Sequence, residues 1–253
     1  MKNKKNEPLV SILTASRKTG SYINDCISSV LAQDYKNIEM IIVDDYSNDR
    51  SSHFAKKHAD KNHNITYCKE EKQVFCGSAY WRASTMARGS IICVLDGDDT
   101  LLPNSVSTIV DAYTKNPSVD FIYTQHYVCN KKLLKIKTGI SSMPVEGNNI
   151  RDSWFKLRHH TYSHWRTCRS HMLKHDLFKQ KLRFSVDKYM GMKLELFGQG
   201  AFLDTPLYNY RLHTTQITLS MRMQRKKVNT KLVKEIENIQ IEKNIKLKPI
   251  IKL

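Results

Sequence analysis

With 253 residues, 40% of them hydrophobic, the chain has enough material to bury the core of one large α/β domain or two small ones. Its longest apolar runs, such as Ile91 to Leu95, fall far short of the roughly 18 to 20 residues that a membrane-spanning helix needs. A net charge of +17, from 41 Lys and Arg against 24 Asp and Glu, calls for an anionic partner: nucleic acid, an anionic lipid surface or a phosphate-bearing substrate.

Lys2, Lys4 and Lys5 precede only a short apolar stretch, Leu9 to Leu13, which reads as a first strand rather than the core of a signal peptide. The expected location is therefore cytoplasmic. The apolar positions Ile23, Cys26, Ile27, Val30 and Leu31 recur at helical spacing, with Ser21 placed to cap the helix. A second strand follows over 38–43, halted by Asp44 and Asp45, then a helix over 51–61 and a strand over 64–68. A helix over 77–88 and a strand over 90–95 complete the alternation, which predicts a parallel sheet with helices on both faces. Asp44 and Asp45, and likewise Asp96, Asp98 and Asp99, then fall just beyond the carboxyl ends of strands, the edge where open α/β sheets bind ligands.

Beyond Pro103 the pattern gives a helix over about 104–115 and a strand over 121–128, then a region of weaker periodicity read as an extension of the same domain. Residues 221 to 253 carry ten Lys or Arg against three Glu, a basic and partly amphipathic helix with a short end segment. Such a helix packs one side on the body or lies against a membrane surface. Six cysteines lie scattered with no C-x-x-C pair and read as reduced thiols, mostly small core residues. His160, His164, Cys168, His171 and His175 recur at steps of four and three, so a continuous helix would align them as zinc ligands. Packing and contacts to a bound anion compete with that reading.

The acidic cluster is the sharpest chemical signal. Three carboxylates within four residues, Asp96, Asp98 and Asp99, repel one another unless a cation or hydrogen-bond donors compensate. Oxygen ligands of this kind suit Mg²⁺ or Mn²⁺. An Asp-rich turn capping the helix after Pro103 is the structural alternative.

Four stretches occur in a telling order: Val10-Ser11-Ile12-Leu13, then Ile41 to Asp49 (IIVDDYSND), then Ala87-Arg88-Gly89-Ser90-Ile91, then Leu95-Asp96-Gly97-Asp98-Asp99. In this the chain resembles the family 2 glycosyltransferases of GT-A fold, strongly over about 1–115 and more thinly over 150–215. The resemblance implies a GT-A type domain over 1–217 with a mostly parallel, Rossmann-like sheet. Its residues 1–115 would bind a nucleotide sugar and 116–217 the acceptor, and 218–253 would form a basic helical tail. It also implies inverting, metal-dependent transfer of a hexose or N-acetylhexosamine from a nucleoside diphosphate sugar. Uridine is the expected base, and the acceptor a glycan, lipid-linked or protein-linked.

Carried over residue by residue, the resemblance makes Asp98 the metal ligand, with Asp96 at the ribose or the metal's water and Asp99 orienting its neighbours. Asp45 and Ser16 would hold the nucleoside, and Asp44 and Asp49 would stabilise their loop. Asp187 would be the general base, at the start of a helix, and His213, in the PLYNYRLH stretch, would contact the metal or leaving group. Several family positions differ. Ala15-Ser16-Arg17-Lys18 replaces the usual P-T-Y-N, so the Arg17 face would stand in for a stacking tyrosine. Tyr80-Trp81 replaces Arg-Asn, leaving Arg82 to reach the diphosphate, and Val186 replaces a Glu. Those departures keep an inactive nucleotide-sugar binding module open as an alternative. A nucleic-acid-binding protein is the other alternative, and it has no use for clustered carboxylates.

Overall fold

The computed structural model describes residues 7–139, 141, 164–214 and 222–253. The leading lysines, His159, His160 and the expected tail boundary at 218 lie outside the described residues.

The first half alternates as its periodicity demands. Strand β1 (Val10–Ser16) leads to α1 (Tyr22–Leu31), β2 (Ile38–Asp44) to α2 (Arg50–Lys61), and β3 (Ile65–Lys69) to α3 (Phe75–Met86) and β4 (Ile91–Val94). These four strands are parallel in the order β3-β2-β1-β4, so their carboxyl ends share one edge. The second half departs from a purely parallel sheet. A short β5 (Thr100–Leu101) and α4 (Ser105–Lys115) lead into β6 (Phe121–Cys129), β7 (Lys135–Thr138) and β8 (Arg166–Arg169). Strand β8 inserts antiparallel between β4 and β6, while β9 (Gly200–Arg211) runs parallel to β6. A single 3-10 stretch, Ser170–His175, and α5 (Val186–Phe197) connect β8 to β9.

Alternation along the strands sends side chains to two cores. Val10 and Ile12 of β1 pack with Ile23 and Ile27 of α1, Ala55 of α2 and Ile109 of α4. Leu13, with Ile41 and Val43 of β2, packs on the other face with Ala79 and Ala83 of α3 and Met190 and Leu194 of α5. This is the period-two logic of a strand buried on both sides. The C-terminal helix α6 (Arg222–Glu242) buries Leu232, Val233 and Ile236 against Tyr189, Met192 and Leu196 of α5. A last strand, β10 (Ile251–Lys252), pairs parallel with β9 and puts the end of the chain at the edge of the main sheet.

Two local expectations change. Ser21 precedes α1 in helical conformation and makes no capping hydrogen bond, whereas Asp49 caps α2 by accepting from the Ser51 amide. The His160-to-His175 helix is not present among the described residues. Arg166–Arg169 is a strand with Cys168 buried in it, and only the following 3-10 turn is helical, so the spacing aligns no ligands. All six cysteines are free, four of them buried, as a reduced chain requires. No helix among the described residues is long and apolar enough to cross a membrane.

The Ala87-Arg88-Gly89 motif is a structural joint. The Gly89 amide donates to Ser11 Oγ at 2.8 Å, and Ser11 Oγ donates to Glu39 Oε1 at 2.6 Å. Glu39 also accepts from the Arg88 amide and guanidinium. A Cβ at Gly89 would stand 2.6 Å from Leu9 O and 2.7 Å from the Ser11 amide, both backbone atoms that cannot swing away. Gly89→Ala is therefore expected to cost about 1–3 kcal/mol of stability through overpacking. Denaturant unfolding checks this, and an unchanged midpoint would mean the joint is looser than drawn.

Candidate active site

The acidic loop follows β4 directly, at the edge where the parallel strands end. Each of its three carboxylates has a different setting. Asp99 is fully buried, and both of its oxygens are engaged: Tyr208 Oη donates at 2.8 Å and the Arg211 amide at 2.7 Å. Burial, and then the charges of Asp98 and Asp96, push its carboxyl well above the usual range. It ties the loop to β9. Asp98 is partly exposed, with Oδ2 2.9 Å from His213 Nε2, and its backbone carbonyl accepts from Arg211 Nε. His213 itself is sheltered under the Tyr22 ring, with centroids 4.8 Å apart. None of the acids caps α4, whose N-cap is Asn104; the Val106 amide there is taken by Gln33.

Asp96 opens toward a buried arginine. Tyr80 Oη donates to Asp96 Oδ1 at 2.6 Å, and Arg166 Nη2 lies 3.5 Å from Oδ2. Burial and the neighbouring Asp98 raise the Asp96 carboxyl, with Arg166 and the Tyr80 hydrogen bond opposing them in part. The Arg166 side chain is 4% exposed. Its Nη1 approaches Asp187 Oδ2 at 3.7 Å, and its Nη2 lies 3.2 Å from His164 Nδ1, yet Nε and Nη1 have no hydrogen-bond partner among the described residues. Burial works against this charge, but Asp96 and Asp187 more than compensate and hold the guanidinium protonated. One buried cation thus joins the loop after β4 to the start of α5, two segments 91 residues apart in sequence. Asp187 sits in the first turn of α5, after Ser185 as N-cap, where a negative charge is favoured by the helix dipole.

The residues expected to hold a nucleoside lie around the ends of β1 and β2. Asp45 Oδ1 accepts from the Val74 amide, and Phe75 donates to the same carboxylate, so Asp45 closes the N-terminus of α3. Burial nevertheless raises its carboxyl, outweighing those bonds and Arg17, whose Nε lies 3.9 Å away. Ser16 Oγ lies 3.1 Å from Thr19 Oγ1, and both Ser16 and Asp45 are buried. Asp44 accepts from the Ser47 amide and from Ser52 and Tyr67 hydroxyls, and Asp49 accepts from Gly20, the loop-stabilising work expected of both.

Arg82, expected at the diphosphate, has an acidic neighbour in Glu70. It pairs with Glu70 at 2.6 Å, and the cation set against the acidic loop is Arg166. Sequence reasoning had passed over Arg166, Tyr80 and Tyr208 as site residues. Tyr80 was visible as a departure from the family pattern, and its hydroxyl on Asp96 gives that departure a purpose. Tyr208 lies within the PLYNYRLH stretch, whereas Arg166 has no local signal, because only the pairing of β8 with the rest of the sheet brings it to the loop.

The donor set fits a divalent cation. Burial, and after it the charge of neighbouring carboxylates, raises the pKa of Asp96 and Asp99, and a doubly charged ion beside them would favour their ionised forms. Two groupings of ligands are available. Single donor atoms of Asp96, Asp99 and His164 lie within 4.8 Å of one another. Asp98 and His213 form the other, at 2.9 Å. Because both Asp99 oxygens are already occupied and buried, Asp98, with His213 beside it, is the better placed of the two for a metal that also touches a diphosphate.

The model of the family described as "Glycosyl transferase family 2" matches residues 11–195. The chain belongs to glycosyltransferase family 2. Among its relatives, chondroitin synthase of Escherichia coli is 27% identical over 231 residues, 91% of this chain and 33% of that protein. EpsH of Bacillus subtilis (strain 168) is also 27% identical, over 83% of this chain and 62% of its own length. The chain thus spans from a third to under two thirds of these family 2 relatives. The solved structure of Staphylococcus aureus TarS 1-349 in complex with UDP-GlcNAc superposes with a TM-score of 0.69 at 18% identity, covering 84% of this chain and 61% of that one. A mannosyltransferase from Pyrobaculum calidifontis, in complex with GDP-Man and Mn²⁺, gives 0.61 at 16% identity, over 87% of this chain and 61% of its own. These likenesses establish the GT-A fold expected from the motif order.

Proposed function

We propose that this family 2 chain is a metal-dependent inverting glycosyltransferase, moving a hexose or N-acetylhexosamine from a nucleoside diphosphate sugar to a carbohydrate-bearing acceptor. The observation that carries the proposal is the bridge through Arg166. It sets the acidic loop and Asp187, at 3.5 and 3.7 Å, on two sides of one buried guanidinium. Transfer needs both in one place: a site for the departing diphosphate and a base for the incoming hydroxyl.

When bound, Mn²⁺ or Mg²⁺ would neutralise the leaving diphosphate without any proton transfer. Asp98 and His213 would hold it, with Asp96 at its water or at the ribose. Asp187 takes the proton of the acceptor hydroxyl as that oxygen attacks the anomeric carbon in line. Arg166 keeps Asp96 and Asp187 from repelling one another. Ser16 and Asp45 frame the nucleoside, with Arg17 stacking on the base. Uridine is favoured by the family resemblance and by the UDP-GlcNAc held by TarS.

A thermal-shift panel of UDP, GDP and their sugars, each with and without Mn²⁺, tests the reading. At a hundred times its Kd, the right donor should raise the unfolding temperature by roughly 5 to 10 °C. Slow metal-dependent release of free sugar should accompany it. Binding without any release of sugar would favour an inactive nucleotide-sugar module instead, and a salt-sensitive shift with DNA alone would favour a nucleic-acid protein.

A further inference from the structure

The hairpin joining β6 to β7 has a composition unlike its surroundings. From Asn130 to Thr138 it reads NKKLLKIKT, with four lysines and no acid. Leu134 is 63% exposed and Ile136 57%, the two most exposed large aliphatic side chains of the first 200 residues among those described. Leu134 closes the turn just before β7, and Ile136 sits within β7 where its register with β6 shifts. Lys131, Lys132, Lys135 and Lys137 are exposed around them. Among the described residues β7 pairs on one side only, with β6.

This ribbon is built to be presented. Asn130 Oδ1 accepts from the amides of Lys132 and Leu134, and the Asn130 amide donates to Leu134 O, which fixes the tip. Lys135 Nζ lies 3.7 Å over the Tyr127 ring. The base of the hairpin is tied to the acidic rim. Arg211 Nη1 donates to Lys131 O at 2.9 Å, while Arg211 Nε donates to the Asp98 carbonyl at 2.7 Å. The Leu212 amide donates to Cys129 O, one residue before His213 and its Asp98 contact.

We propose that the 130–138 hairpin is a docking surface for an anionic bilayer. Lysines alone would serve any polyanion, since their attraction is set by charge and falls with salt. Two unpartnered aliphatic side chains gain from insertion among acyl chains and gain nothing from a hydrated polyanion. The combination, in nine residues, fits a surface that offers both negative headgroups and an apolar layer beneath them. A protein held by this hairpin brings the rim carrying Asp98 and His213 close to the membrane. The docking itself does not depend on the transferase reading and stands or falls separately from it.

The test is co-sedimentation of the full chain with phosphatidylglycerol vesicles, phosphatidylcholine vesicles and, as a soluble polyanion, heparin beads. Wild type should bind phosphatidylglycerol and leave phosphatidylcholine in the supernatant. The variant Leu134→Ser/Ile136→Ser should lose about tenfold in vesicle affinity while keeping its hold on heparin. Lys131→Gln/Lys132→Gln/Lys135→Gln/Lys137→Gln should lose about as much on vesicles. Lys227→Gln/Lys231→Gln/Lys234→Gln on α6 should bind vesicles as wild type does. All substituted side chains are exposed, so unfolding midpoints should match wild type. The proposal is overturned if wild type ignores phosphatidylglycerol, if the serine variant binds vesicles undiminished, or if only the α6 variant loses binding.

Discussion

Replacing Asp187 by Asn should reduce sugar transfer by about 10²- to 10⁴-fold, the span that a positioned general base contributes. The amide keeps the shape of the side chain but cannot take a proton. Arg166 would lose one of its two flanking carboxylates, at 3.7 Å, while keeping Asp96 at 3.5 Å. The guanidinium therefore stays balanced, and nucleotide affinity should remain near wild type. The loss of stability should be limited, because Asp187 is partly exposed and the buried guanidinium keeps Asp96 as a partner. The pattern to look for is a fall in kcat with the Kd for UDP unchanged. Full transfer activity in the variant would remove Asp187 from the mechanism, and equal loss of kcat and nucleotide affinity would make it a binding residue.

Asp98→Ala should act on the other half of the reaction. In wild type, Mn²⁺ is expected to tighten UDP binding, because Asp98 would hold the ion and the ion would neutralise the diphosphate. Without Asp98 that response should fall about tenfold or more, while binding of uridine alone, for which Ser16, Asp45 and Arg17 are the proposed contacts, should persist. His213 would lose its partner at 2.9 Å, so the two residues act as one unit and His213→Ala combined with Asp98→Ala should add little further loss. Isothermal titration with UDP at several Mn²⁺ concentrations measures the effect. A variant whose UDP affinity still follows Mn²⁺ as wild type does would refute the role of Asp98.

The first half was legible because each of its elements declares itself locally. β1, β2 and β4 are short apolar runs that end in polar or acidic residues, and α1 shows its buried stripe at Ile23, Cys26, Ile27 and Val30. The acids then had to fall at the carboxyl edge. The second half was less legible because its strands are defined by distant partners. Arg166-Thr167-Cys168-Arg169 has neither helical nor alternating apolar character, yet it lies antiparallel between β4 and β6. Its histidine spacing suggested a helix that tertiary pairing overrides. The same placement explains Arg166: a charged residue inside a central strand is unusual, and here it answers to carboxylates from two other elements. The register of Asp99 against β9, through Tyr208 and Arg211, likewise depends on contacts more than a hundred residues apart in sequence.

The claim on which the mechanism rests is that a divalent cation binds at Asp98 beside the donor's diphosphate. Crystals grown with UDP and Mn²⁺ and measured near the manganese absorption edge address it directly. The account predicts an anomalous peak about 2.0–2.2 Å from an Asp98 carboxylate oxygen and within coordination distance of a phosphate oxygen. UDP bound with no such peak, or manganese coordinated away from Asp98, would contradict it.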